Sequence, residues 1–346
     1  MKKQFTLLTI ALLVATFTNA QEKNTPTSPL SPWKRTISLG IDAGQLSLIN
    51  PRIGAGESRV NLGGAASAAF NYKKGIYSWE NSAAALFAVQ KLGSGVAPLP
   101  GSATKYKRPF QKSTDELRVN SKFGVALKEG GKLYAAADAA LLTQLTPTFG
   151  LSDGNNYLTD VKNLGVSDLK ARFFSPATAS VAVGVDYKPF VNLSFFYSPV
   201  TMRAVIVQSD TIANRPSAAG SSTNAFGVNI SKNASYNMGS MLRVMYADKF
   251  LKDKLIVSSN VSLFGAYANG KGVKVDWSNQ LSWQLYKGLQ LGLNVNVLYD
   301  EEILVQVSDK NGVNGVRIDP VTLKPVLVNN RPSIIQQLLL KYATSF

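Results

Sequence analysis

The chain has 346 residues, a formal net charge of +16, 45% hydrophobic and 17% charged residues, and neither histidine nor cysteine. Without those two residue types there is no Ser-His-Asp, Cys-His or His-metal constellation, no disulfide framework and no lipid-anchored cysteine. The expectation is therefore no enzyme, no catalytic, cofactor-binding or metal residues, and no cofactor. Low charge beside 27 glycines and 10% aromatics suits a β-protein facing an apolar medium, since soluble domains carry about 25% charged residues.

The chain begins MKKQFTLLTIALLVATFTNA. Lys2 and Lys3, the apolar run Phe5 to Phe17 and the small Ala20 predict a signal peptide over residues 1–20, cleaved after Ala20. The run is shorter than the ~20 residues a spanning helix needs. Removing Lys2 and Lys3 leaves +14 on the 326 residues that follow (346 minus 20). Residues 21–32 are expected to form a short periplasmic segment, and residues 33–346 a single domain.

From there a period of two recurs. TISLGIDAG sets Ile37, Leu39, Ile41 and Ala43 on one face and Ser38, Gly40, Asp42 and Gly44 on the other. Such alternation predicts a strand with one apolar and one polar face. Similar stretches start at Val60, Tyr77, Glu116, Leu133, Ala177, Val191, Asn237, Leu255, Val273, Leu289 and Ser333, so about twelve strands are expected. In LQLGLNVNVLYDEE (Leu289 to Glu302) the polar face is built of amides rather than lysine and glutamate, which differs from an ordinary wet surface.

The predicted connections alternate in length. Short ones fall at 73–75, 128–132, 188–190, 248–254 and 287–288; the others fall near 48–58, 92–114, 147–175, 206–235, 269–272 and 301–332. Short turns on one side and longer loops on the other are a property of outer-membrane barrels. Trp33, Tyr72, Tyr77, Trp79, Tyr187, Tyr246, Trp283, Tyr286 and Tyr342 fall near the short-turn ends, where amphipathic rings meet a membrane interface. The terminal Phe346 closes an alternating strand and is expected to act as the assembly signal. The predicted fold is all-β: a transmembrane antiparallel up-and-down β-barrel of about twelve strands, in the outer membrane, with both termini periplasmic.

ELRVNSKFG (Glu116 to Gly124), FFSPA (Phe173 to Ala177), GVDYKPFVNLSFFYSP (Gly184 to Pro199) and VNVLYDEEI (Val295 to Ile303) resemble a Bacteroidota outer-membrane family known as domain of unknown function 3078. The resemblance extends from about Trp33 to Phe346. It implies the barrel and a Gram-negative, Bacteroidota-like setting, and brings no activity and no functional residue.

Strand parity places Asp42, Glu80, Asp138, Asp186, Asp276 and Asp300 inside, with Arg118, Lys122, Arg243, Lys274 and Lys341. Such charges either set the selectivity of a constriction or pair to stiffen and close a narrow lumen. Two functions stay open: a narrow porin-like channel for small solutes, or a plugged structural or accessory barrel engaging an envelope partner through loops or turns. Lys73, Lys74, Lys128, Lys132, Lys188, Lys249, Lys252, Lys254 and Lys287 are read into the short turns, facing anionic headgroups or a periplasmic partner. Outer-membrane lipids and the barrel-assembly machinery are the expected partners; nucleic acid is not, despite the basic charge. Asp300, Glu301, Glu302 and the loop SDKNGVNG (Ser308 to Gly315) only partly echo a calcium loop.

Overall fold

In the computed structural model the described residues are 31–46, 59–92, 96–98, 105–107, 109–150, 156–160, 168–217, 220–268, 272–287, 289–301, 305–307, 317, 319–320, 326–328 and 331–345. Residues Trp33–Phe346 form one compact unit. The signal-peptide stretch with Ala20, and the terminal Phe346, lie outside the described residues.

Long strands carry the fold: β1 (Trp33–Leu46), β2 (Arg59–Lys74), β3 (Tyr77–Leu92), β4 (Gln111–Ala126), β5 (Leu133–Thr143), β6 (Ala177–Phe190), β7 (Leu193–Ile206), β8 (Ala234–Phe250), β9 (Leu255–Ala266), β10 (Lys274–Tyr286), β11 (Leu289–Tyr299) and β12 (Ser333–Ser345). Each pairs antiparallel with its neighbours in chain order. β1 also pairs with β12 through Ser38↔Ser345 to Ile41↔Tyr342, which closes the ring. Among the described residues it is an all-β, antiparallel, up-and-down barrel. At 11 to 17 residues for β5, β11 and β8, the strands are long enough for a tilted bilayer crossing, which needs about 9–11. No helix among the described residues is long and apolar enough to cross a membrane.

The outer face explains why so little charge appears in the sequence. Leu39, Ile41, Leu62, Val181, Val183, Val185, Leu281, Leu291 and Leu293 are all exposed on it. An apolar surface running round a closed barrel cannot face water, whereas it matches the lipid-facing band of a membrane barrel. Tyr77, Trp79, Tyr187, Trp283 and Tyr286 are exposed at the short-turn end, and Trp33 packs on Tyr72 and Trp79 with ring centroids 5.1 and 6.0 Å apart. At the other end Tyr236 and Tyr267 are exposed. Rings thus border the apolar band on both sides.

Where the structure differs from the pattern, side-chain partners account for it. The turn expected at 188–190 lies at Val191–Asn192 instead, because β6 continues to Phe190 and carries Lys188 to carboxylates in the interior. Lys188 is therefore a lumen residue, not a headgroup lysine. β4 starts at Gln111 rather than Glu116, since Lys112 and Asp115 pair with each other and hold Thr146. In β6, Gly184 sits at a register shift against β7, where a Cβ would collide with the Tyr197 carbonyl.

Candidate functional site: the barrel interior

The register shows which side chains share the inner face, because directly paired residues point the same way. Glu80 is opposite Lys122, Lys122 opposite Asp138, Asp138 opposite Ala182, Asp186 opposite Phe196, Phe196 opposite Arg243, Arg243 opposite Ser262 and Ser262 opposite Asp276. Asp42 is paired with Gly63 and Lys341 with Gln290; their side chains lie outside the described ones.

The interior charges meet in three groups. Nearest the short turns, the Lys122 ammonium lies 2.8 Å from Asp186 and 3.4 Å from Glu80. Lys188 bonds Glu80 and lies 3.5 Å from Asp186, and the Ser194 hydroxyl donates to Asp186. Midway, Arg243 Nη1 donates to both Asp138 oxygens at 2.7 Å. Both side chains are nearly buried, at 9% and 2% exposure. Toward the long loops, Arg118 bonds Glu116 and Asp276, while Asp300 takes Lys274 at 3.0 Å and Arg203 at 3.4 Å. Glu301, beside it, accepts from Gly272 N and the Tyr299 hydroxyl.

Ring order makes the Arg118–Asp276 contact the most informative. β4 and β10 are separated by the same number of strands in either direction, so the 3.3 Å contact joins opposite walls. A circular barrel of this strand number would hold its walls roughly 24 Å apart. An extended arginine and aspartate joined by a hydrogen bond bridge only about 14 Å. The section at this level is therefore oval, and the ion pair divides it.

The two halves differ. On the β5–β9 side, Ala136, Ala182, Phe196, Met241 and Phe264 form a buried apolar cluster next to Asp138 and Arg243. On the β1–β3 side the inner face carries small groups, among them Gly63, Ala65, Ala69 and Ala84. There Ser67 and Ser82 face inward and are nevertheless exposed, as is Gln280 of β10. An inward side chain that is exposed borders open space within the ring. Among the described side chains, one side of the interior is thus packed, while the hydroxyl and amide groups of Ser67, Ser82 and Gln280 on the other side are exposed.

Glu116, Arg203 and Lys188 join these groups without having been singled out by strand parity. Glu116 and Arg203 stand two residues from Arg118 and beyond the β7 irregularity at Ser198/Thr201. Extending the alternation would have reached the first, and no local signal marks the second.

A closed antiparallel ring with an apolar outer band, aromatic borders and a polar interior defines a transmembrane β-barrel. A family model described as Protein of unknown function (DUF3078) matches residues 45–149. Over those residues, which include ELRVNSKFG, the family resemblance read from the sequence holds; FFSPA and the later stretches lie beyond the match. No curated protein matches the chain. Among solved structures, an outer membrane channel from Pseudomonas putida F1 is similar at 10% identity and a TM-score of 0.35, covering 94% of this chain and all of that one. The translocator domain of the autotransporter NalP from Neisseria meningitidis is similar at 9% identity and a TM-score of 0.30, covering 86% of this chain and 91% of that one. The outer membrane channel DcaP of Acinetobacter baumannii is similar at 9% identity and a TM-score of 0.27, with 91% and 95% covered.

Proposed function

We propose that the protein is an integral outer-membrane barrel of a Gram-negative, Bacteroidota-like envelope, with termini and short turns in the periplasm, and that it forms a narrow, off-centre channel for small solutes without any catalytic step. The observation that carries this reading is the exposure of the inward-facing Ser67, Ser82 and Gln280, opposed to the burial of Asp138, Arg243 and Phe196. The Arg118–Asp276 pair lies between the two regions, and the lane runs past Ser67 of β2, Ser82 of β3 and Gln280 of β10. Among the described residues, acids and bases in the interior are matched within their clusters, so the lane discriminates weakly by charge.

The test is ion conductance of the chain from Gln21 to Phe346, refolded into a planar lipid bilayer. Small discrete steps are expected for the wild type. Ser67→Trp, which fills the lane, should abolish them, and the double variant Arg118→Gln/Asp276→Asn should enlarge them. Silence from a demonstrably folded wild-type barrel would sink the channel reading. It would favour the second one, a plugged barrel, for which the packed Phe196, Met241 and Phe264 cluster is the specific support. In that reading loops or lysines such as Lys128, Lys132, Lys252 and Lys254 engage an envelope partner. In either reading lipids surround the barrel and the assembly machinery inserts it.

A further inference from the structure

We propose that the long-loop end of the barrel carries a binding site for a small amphipathic organic anion, a carboxylate attached to an apolar or aromatic body. The site is independent of whether the lumen conducts.

The described parts of the two connections that build it are organised. In the segment between β5 and β6, short strands Thr148–Gly150, Asn156–Tyr157 and Asp168–Ala171 pair with one another and, through Tyr157↔Gln111, extend the sheet from the end of β4. Asp115 anchors the start of that segment by accepting from Leu145 N, Thr146 N and the Thr146 hydroxyl. The segment between β7 and β8 has its own buried cluster of Val207, Ile212, Ala213 and Val228, and Leu169 of the first segment packs against it. Arg215 Nη1 donates to Leu169 O at 3.2 Å, and Ser209 N donates to Ser175 Oγ at 2.8 Å. Ordering long surface segments costs conformational entropy, and ordered long loops in compact domains are commonly functional.

Between these segments and β4 lies a cavity of about 570 Å³, within the range of small-molecule sites. Ile212, Ala225 and Phe226 supply apolar lining, while Gln144, Asn156 and Lys170 supply polar groups. Its other cations are occupied: Lys112 bonds Asp115, Thr146 O and Thr146 Oγ1, and Arg215 holds Leu169 and lies 3.7 Å from Asp168. Lys170 has no partner among the described residues. Its side chain crosses Gly150, where an added Cβ would collide with both Cε and Nζ. Lys170 is exposed at the rim of the cavity, with its ammonium open to water and to a bound anion, the group such a lysine recognises. The apolar lining selects an anion with an organic body over a bare inorganic one.

The probe is benzoate, compared with the neutral benzyl alcohol, titrated into the folded barrel in detergent micelles and followed by ligand-observed NMR. Benzoate should bind saturably, and Lys170→Gln should weaken it about tenfold, the factor expected for losing one charge-assisted hydrogen bond. Lys170→Arg should largely restore it, and benzyl alcohol should be indifferent to both changes. Gly150→Ala, which removes no charge and meets only the flexible end of Lys170, should leave benzoate binding close to wild type. The heat-dependent gel shift of the barrel reports folding of each variant. Absence of saturable benzoate binding by the folded wild type overturns the proposal, as does equal binding by folded Lys170→Gln. Neither result touches the conductance of the barrel, so a failure here is distinct from a failure of the channel reading.

Discussion

Asp138→Ala should be among the most destabilising single changes in the barrel wall. The carboxylate is 2% exposed, and both of its oxygens accept from Arg243 Nη1 at 2.7 Å. Arg243 Nε has no hydrogen-bond partner of its own, and the neighbouring inward groups are Met241, Phe196 and Phe264. Removing Asp138 leaves a guanidinium held among apolar groups, an uncompensated buried charge that costs about 3–5 kcal/mol. Replacing both members, Asp138→Ala with Arg243→Met, should recover most of that loss, because an apolar substitute for a buried pair is often neutral. Urea unfolding of the refolded barrel in lipid vesicles, followed by tryptophan fluorescence, measures both. A single-variant loss under about 1 kcal/mol, the range of a solvent-exposed pair, would mean that water screens Arg243. The division into a packed half and an open half would then be wrong. A double variant as unstable as the sum of the singles would equally refute the pairing.

Leu293→Arg should cost roughly 2–4 kcal/mol in a lipid bilayer because Leu293 lies in the outward register of Leu281 and Leu338. Asn294→Arg, on the inner face opposite Gln280, should be tolerated in the same unfolding assay; equal costs would overturn the assignment of faces. Trp79, Trp277 and Trp283 are exposed on the outer face, so brominated lipids should quench most of the tryptophan emission, whereas a soluble quencher such as acrylamide should quench little. Asp115→Ala removes the acceptor for Leu145 N, Thr146 N and Lys112. It should speed proteolytic cleavage within 144–176 at least several-fold while the barrel keeps its gel shift; unchanged cleavage would show that Asp115 does not anchor that segment.

The strands were legible in the sequence because their information is local. In LQLGLNVNVLY the step between successive side chains is half a turn of pleat, so Leu291 and Leu293 are committed to one face and Asn294 and Asn296 to the other whatever the partner strand. The difference between short turns and long loops is local as well, since a hairpin joins adjacent antiparallel strands with a few residues while a loop is free to grow. Inward charges such as Glu80, Lys122, Asp138 and Arg243 follow from the same parity.

What parity cannot supply is which of those charges meet. Arg118 and Asp276 are 158 residues apart and touch only because the ring closes and its section is oval at that level. Lys188 reads as a turn residue in KPF, yet the carboxylates of Glu80 and Asp186 draw it into the strand and the interior. The placing of Lys170 beside Gly150 is invisible in the chain as well, because two loop strands must align before the lysine lies across the glycine. Periodicity, being a property of neighbouring residues, determined the strands and their faces. Contacts across a lumen or between two loops depend on closure and on distance through space, and only the tertiary structure decided those.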